Sequence, residues 1–118
     1  MLQLVKPGFQ VFNGSAPILA PALGIGCSGG VLAFANAAPY ACVTIWEAHR
    51  MREPEAAMDW QKRILRAAQL VTVKYGVPGL KYAMDLNGYY GGHPRLPLVP
   101  ITPEAKKEIE LAFDGLKG

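Results

Sequence analysis

Two short apolar runs stand near the start of the chain. Phe9–Asn13 and Val31–Phe34 are rich in β-formers and apolar on both faces instead of alternating. That is the pattern of parallel strands covered on two sides. Asn13-Gly14-Ser15 closes the first run and Gly29-Gly30 opens the second, both with turn chemistry. Between them, Ala16–Leu23 is short and marked by Pro17 and Pro21, which suits a turn-helix crossover better than a third strand. The pattern predicts one βαβ unit. Two strands do not make a stable sheet by themselves, so the unit calls for a partner or a larger whole.

Helical periodicity takes over from there. Asn36 is placed to cap a helix with Pro39 in its first turn, running to Arg50 or Met51. Its early part, Tyr40–Trp46, is apolar nearly all round and is expected to be largely covered. Glu53-Pro54-Glu55 starts a second helix that reaches Tyr75 and stops at Gly76, with Pro78 beyond. Ile64, Leu65, Ala68 and Val71 form its expected buried stripe, while Asp59, Lys62, Arg63 and Arg66 face water. Leu80–Leu86 reads as a shorter helix with Leu80, Ala83 and Met84 on one face, ended by Asn87-Gly88. Tyr89–Arg95 is a loop, and Leu96–Ile101 an extended linker held open by Pro97 and Pro100. Thr102 caps the last helix, Pro103 takes its first position, and Ala105, Ile109, Ala112 and Leu116 line its inner face. Met1–Lys6 reads as the end of a helix, cut off by a turn at Pro7-Gly8.

Charge changes the picture in one place. No Lys, Arg, Asp or Glu occurs between Lys6 and Glu47, long enough to raise a membrane span. Pro17, Pro21 and Pro39 interrupt that run and Asn13, Ser15, Ser28 and Asn36 sit inside it, so a buried α/β core is the better account. Lys6 is followed by Pro7-Gly8 and no apolar stretch of signal-peptide layout. The formal net charge is +3, with basic residues alternating with acids from Arg50 onward. That lacks the basic stripe nucleic acid needs. Two cysteines, Cys27 and Cys42, give neither a disulfide framework nor metal spacing and point to a reduced compartment.

Candidate chemistry is sparse. Gly24-Ile25-Gly26-Cys27-Ser28-Gly29 matches GxGxxG, with Glu47 at about the distance of a ribose-binding acid. The order around it is reversed, though: a strand should precede and a helix follow. A helix cap and tight turn into a buried strand accounts for it, glycine supplying positive φ. Cys27 as a nucleophile would need His49 or His93 as base, and neither stands in a motif. Both cysteines fit better as small buried hydrophobes. Two histidines without clustered carboxylates make a metal site improbable. Arg95 is expected in a buried ion pair, and Tyr89 and Tyr90 in packing or an interface. Asn13-Gly14-Ser15 lies just past the carboxyl end of a parallel strand, the edge where α/β folds bind ligands. A turn chosen for its geometry alone accounts for those residues equally well.

Taken in order, NGSAP, then GxxGG-V-x-A-x-AN, then a helix pair, then GVPGLKYAMDLNGYYGGHPRLPLVPIT resemble the C-terminal portion of the dihydrodipicolinate synthase and N-acetylneuraminate lyase family. Within it the 4-hydroxy-2-oxoglutarate aldolase branch is the nearest in pattern, through GVPGLK-x-x-MD-x-x-GYYGG-x-x-R-x-PL. The resemblance implies an α/β fold, the C-terminal part of a TIM (β/α)₈ barrel. Residues 1–52 would be its last two strand-helix units, strands seven and eight, and residues 53–118 a C-terminal helical extension. The family joins a lysine on strand six to a 2-oxo acid as a Schiff base, with a tyrosine as proton relay. Neither maps onto this chain, whose lysines are Lys6, Lys62, Lys74, Lys81, Lys106, Lys107 and Lys117. A whole barrel needs about 250 residues, and this chain has 118.

What carries over is substrate lining: Gly14 and Ser15 at the end of strand seven, and Val31 on strand eight. No catalytic residue, metal or cofactor is implied in this chain. The implied parent is a class I aldolase or lyase that cleaves a 4-hydroxy-2-oxo acid to pyruvate and an aldehyde. This chain alone would be inert and aggregation-prone. The alternative is a non-catalytic half-barrel that self-associates or binds the missing barrel half. The expected partners are a 2-oxo acid in the intact parent and other protein, with no nucleic acid and no membrane. The expected location is cytoplasmic, or mitochondrial with any targeting segment outside this chain.

Overall fold

The computed structural model describes residues 8–96, 98, 101–114 and 116. The expected helix end at Met1–Lys6, and Pro7, Pro97, Pro100 and Lys117, lie outside them. Strand β1, Phe12–Asn13, pairs in parallel with β2, Gly29–Gly30, in the register Phe12 to Gly29 and Asn13 to Gly30. The crossover between them is a 3-10 turn, Ala16–Ile18, followed by helix α1, Leu19–Gly24. The expected βαβ unit is therefore present.

Its second strand is not Val31–Phe34 as expected but the glycine pair before it. The ladder is a backbone affair: Ser28 N–H donates to Val11 O (2.8 Å) and Val31 N–H to Asn13 O (2.9 Å). The Phe12 ring and Leu19 occupy the space where side chains at 29 and 30 would stand, 3.3 and 3.1 Å from an added Cβ. After Leu32 the chain curls into a 3-10 turn, Ala33–Asn36, which sinks Phe34 against the Phe113 ring at 5.7 Å. The strands are not covered on both faces either. Phe9, Phe12 and Val31 are more than half exposed, because nothing among the described residues packs on that side.

Helix α2 spans Pro39–Arg50, with Pro39 in its first turn as expected. Asn36 does not cap it. Its side chain donates back to Ala33 O within the preceding turn (3.1 Å). Ala41, Cys42, Ile45 and Ala48 are buried, whereas Tyr40 and Val43 are more than half exposed and Trp46 partly so. Near-uniform apolarity thus overstated the cover of this helix, since among the described residues only one face of it is covered.

Helix α3, Pro54–Gln69, continues into a π turn, Leu70–Lys74, whose wider ring is closed by Tyr75 N–H to Leu70 O (2.8 Å). Gly76, at φ +63°, breaks the run and also opens helix α4, Gly76–Leu86. Helix α4 starts four residues before the expected Leu80, because a proline in a first helical turn costs no hydrogen bond. Ile64, Ala68 and Val71 form the buried stripe. Leu65 leaves it, one position out of phase, and Gln61 takes a place in it. Thr102 caps helix α5, Pro103–Ala112, with its hydroxyl accepting from Ala105 N–H (3.3 Å). Ala105 and Ile109 are buried and Ala112 partly so. Phe113 and Leu116 complete one buried cluster that reaches back to Ala16. No helix of the described residues is long and apolar enough to cross a membrane.

Candidate functional site

Both strands end toward the same edge, which brings the segments after them together. Asn13 is buried and joins them. Its backbone carbonyl accepts from Val31 N–H, and its side chain donates to Ser15 O (2.7 Å), closing the turn around Gly14. Gly14 and Ser15 are exposed, and a Cβ on Gly14 would meet nothing within 4 Å. Val31 is 76% exposed. The structure therefore brings Gly14, Ser15 and Val31 to one open edge, held by the backbone through Asn13.

One side chain from α3 reaches this turn. Gln61 is buried, and its Nε2 donates to Ala16 O (2.9 Å) and Pro17 O (3.0 Å) while its Oε1 accepts from Ala20 N–H (2.7 Å). Ala16 O and Ala20 N–H are the pair that a continuous helix would join directly. The carboxamide is spliced between them, which is one of the recognised causes of a helix break. Sequence reasoning missed Gln61, although a polar residue three before Ile64 in the buried phase of α3 was a legible signal.

Beside β2 lies a cavity of about 420 Å³ lined by Phe12, Gly30, Leu32, Cys42, Val43 and Trp46, among others, with no charged side chain. Its titratable group is Cys42, whose thiol burial pushes up to about 11. At neutral pH it is protonated and behaves as a small hydrophobe. Cys27 is half-buried, and both thiols are free. The cavity offers shape and apolar surface and no acid-base group.

The other candidates disperse. Helix α1 ends at Gly24, Gly26 turns at φ +114°, and β2 follows, so GxGxxG sits in helix-turn-strand order. His49 and His93 are exposed on separate elements. Among the described residues no three metal-ligating side chains cluster. Arg95 is exposed, not in the expected buried ion pair, because its loop runs over the surface. Tyr89 and Tyr90 are also exposed. That loop is pinned at Gly91, whose N–H donates to Asp85 Oδ1 (2.8 Å) and whose carbonyl accepts from Lys81 Nζ (2.9 Å).

None of the described lysines stands on either strand. Lys74 donates to both Glu108 oxygens (2.9 and 3.2 Å), and that bond, with Tyr75, holds its pKa above the ordinary lysine value. Lys81 is committed to Gly91, and Lys106 lies over the Tyr82 ring. Lys6 and Lys117 lie outside the described residues.

The Dihydrodipicolinate synthetase family model matches residues 1–114. The chain is 29% identical over 114 residues to a 4-hydroxy-tetrahydrodipicolinate synthase of Exiguobacterium sp., covering 97% of this chain and 39% of that protein. It is 34% identical over 107 residues to the probable 4-hydroxy-2-oxoglutarate aldolase, mitochondrial, of Emericella nidulans, covering 91% of this chain and 34% of that one. Its fold matches the solved dihydrodipicolinate synthase DapA-2 of Bacillus anthracis with a TM-score of 0.88 at 20% identity, over 99% of this chain and 40% of that one. The chain thus spans 34 to 40% of the length of these relatives.

Proposed function

The chain belongs to the dihydrodipicolinate synthetase family, and on that premise we propose that it is the C-terminal part of a class I, pyruvate-forming aldolase or lyase. Residues 1–52 are read as barrel strands seven and eight with their helices, and residues 53–118 as the helical extension. The observation that carries this is the shared edge: Gly14 and Ser15 after β1 stand beside Val31 after β2, joined through Asn13. On this reading they line the site of the 2-oxo acid. They orient the substrate and transfer no proton, and the Schiff-base lysine and relay tyrosine belong to the rest of the barrel. The parent reaction cleaves a 4-hydroxy-2-oxo acid reversibly. For a 4-hydroxy-2-oxoglutarate-like substrate the products are pyruvate and glyoxylate. The reaction needs no cofactor, and the setting is cytoplasmic or mitochondrial.

Borohydride trapping with pyruvate, read by intact mass, tests the division of labour. The isolated chain is expected to give no reduced adduct. A stoichiometric adduct on one lysine would place the nucleophile in this chain and overturn the reading.

A second reading has its own observation. Phe12 and Val43 lie open on the wall of the β2 cavity, and Val31, directly after β2, is open as well. As a separate product, the chain would use that face to bind the remaining part of a barrel of its own family, a parallel strand and helix laid along the unpaired edge of β2. The relatives support that occupant, since in each of them about three fifths of the length lies outside the matched region. Mixing the chain with the complementary part of a family barrel in a sedimentation experiment is expected to yield a one-to-one complex. Separate sedimentation of the two would remove this reading.

A further inference from the structure

We propose that Gln61 is a positioning residue for the turn Gly14–Ser15, through which the helical extension sets the geometry of the strand edge. The inference rests on the reading of that turn as substrate-facing. A buried carboxamide with three hydrogen bonds to the backbone of one short segment leaves that segment little freedom. Ala16 O, which it holds at 2.9 Å, belongs to the residue after Ser15, and Ser15 O is held in turn by Asn13. The path runs from α3 to Ala16, Ser15 and Asn13, and from Asn13 O to Val31 N–H. Gln61 thus acts on both halves of the edge through Ala16, Pro17 and Ala20, its hydrogen-bond partners.

Chemistry selects the residue type. The site needs one acceptor, for Ala20 N–H, and donors for two carbonyls, at Ala16 and Pro17. A neutral carboxamide supplies both. An ionised carboxylate supplies acceptors alone and would face two carbonyl oxygens. Leucine fills the volume and supplies neither.

The chain has two serines, Ser15 in the turn and Ser28 on the ladder to Val11. The 118-residue chain labelled with ¹⁵N at serine therefore gives one amide signal for the edge and one for the sheet. In Gln61→Leu and in Gln61→Glu at neutral pH, the Ser15 signal is expected to shift while Ser28 stays in place. Acidification is expected to return Ser15 of Gln61→Glu toward its wild-type position, because a protonated carboxyl again has a donor. Volume filling would not produce that reversal. The segment Ala16–Gly24 has no titratable side chain to imitate it, and Asp59, Lys62 and Arg63 on α3 face water. His49, Arg52 and Glu53 line the cavity beyond Ala20, so wild type at each pH is the reference.

An unmoved Ser15 overturns the inference, as does a Ser28 shift of equal size. Should neither variant fold, the wild-type chain decides. The Gln61 carboxamide protons are expected to exchange at least about tenfold more slowly than those of exposed Gln10 and Gln69, and equal rates overturn the inference. No 2-oxo acid enters the experiment, so its failure tells against Gln61 and leaves the aldolase reading to the trapping experiment.

Discussion

Glu108 gathers Lys74, Arg66 and Tyr75 around one carboxylate on α5. Hydrogen bonds from Lys74 and then Tyr75 hold its pKa below the ordinary glutamate value of 4.5. A carboxylate depressed in the folded state contributes stability that is fully present above the unfolded value and is lost as pH falls through the folded one. Urea midpoints of the wild-type chain are therefore expected to fall below about pH 4.5, and those of Glu108→Gln to fall less. The contrast should shrink in high salt, since the cluster faces water. Equal pH slopes in the two proteins would show that the cluster does not couple to folding. None of this was legible from sequence, because Lys74 and Glu108 lie far apart in the chain. That Gly14, Ser15 and Val31 stand at one edge was legible from the βαβ pattern. Asn13 and Gln61, which hold them in place, were not, because their partners are backbone atoms that carry no residue signature.

Among the elements, those marked by covalent or capping chemistry were the legible ones. Pro39, Pro54 and Pro103 open α2, α3 and α5, and Thr102 caps α5 as its sequence suggests. Replacing that cap by Thr102→Ala is expected to cost about 1 kcal/mol, read as a lower urea midpoint with an unchanged slope. The corner between α2 and α3 predicts the opposite sign. Arg52 sits at φ +58°, the described non-glycine residue in the left-handed region. Arg52→Gly should relieve that strain and raise stability by up to about 1 kcal/mol, and a lower midpoint would show that the arginine side chain outweighs its backbone. The element that misled was β2. A glycine pair has no side chain to register as a strand former, and its space is filled by Phe12 and Leu19. The apolar run after it therefore drew the assignment. The same logic explains Tyr40–Trp46: periodicity reports which residues could be covered, and a neighbour decides which of them are.

For the whole molecule the imbalance lies on one side. The buried cluster ties α1 to α5 together, yet the sheet has two residues per strand and an apolar face open to water. A parallel pair that short does not persist unaided. The chain alone is thus expected to self-associate at micromolar concentration. The association should run through the strand region that carries Phe12, Val31 and Val43, because those side chains are open and two of them, Phe12 and Val43, border a cavity without charge. Placing one cation there, Val31→Lys, should lower the sedimentation coefficient and leave the far-ultraviolet spectrum unchanged, since Val31 is 76% exposed and lends little to the fold. Leu111→Lys, at an equally exposed apolar position on α5, is the control expected to leave association as it was. If both substitutions act alike, association is driven by apolarity in general and not by the strand edge. If only Val31→Lys acts, the edge that would face the substrate in a closed barrel is also the edge that holds the isolated chain to its partners.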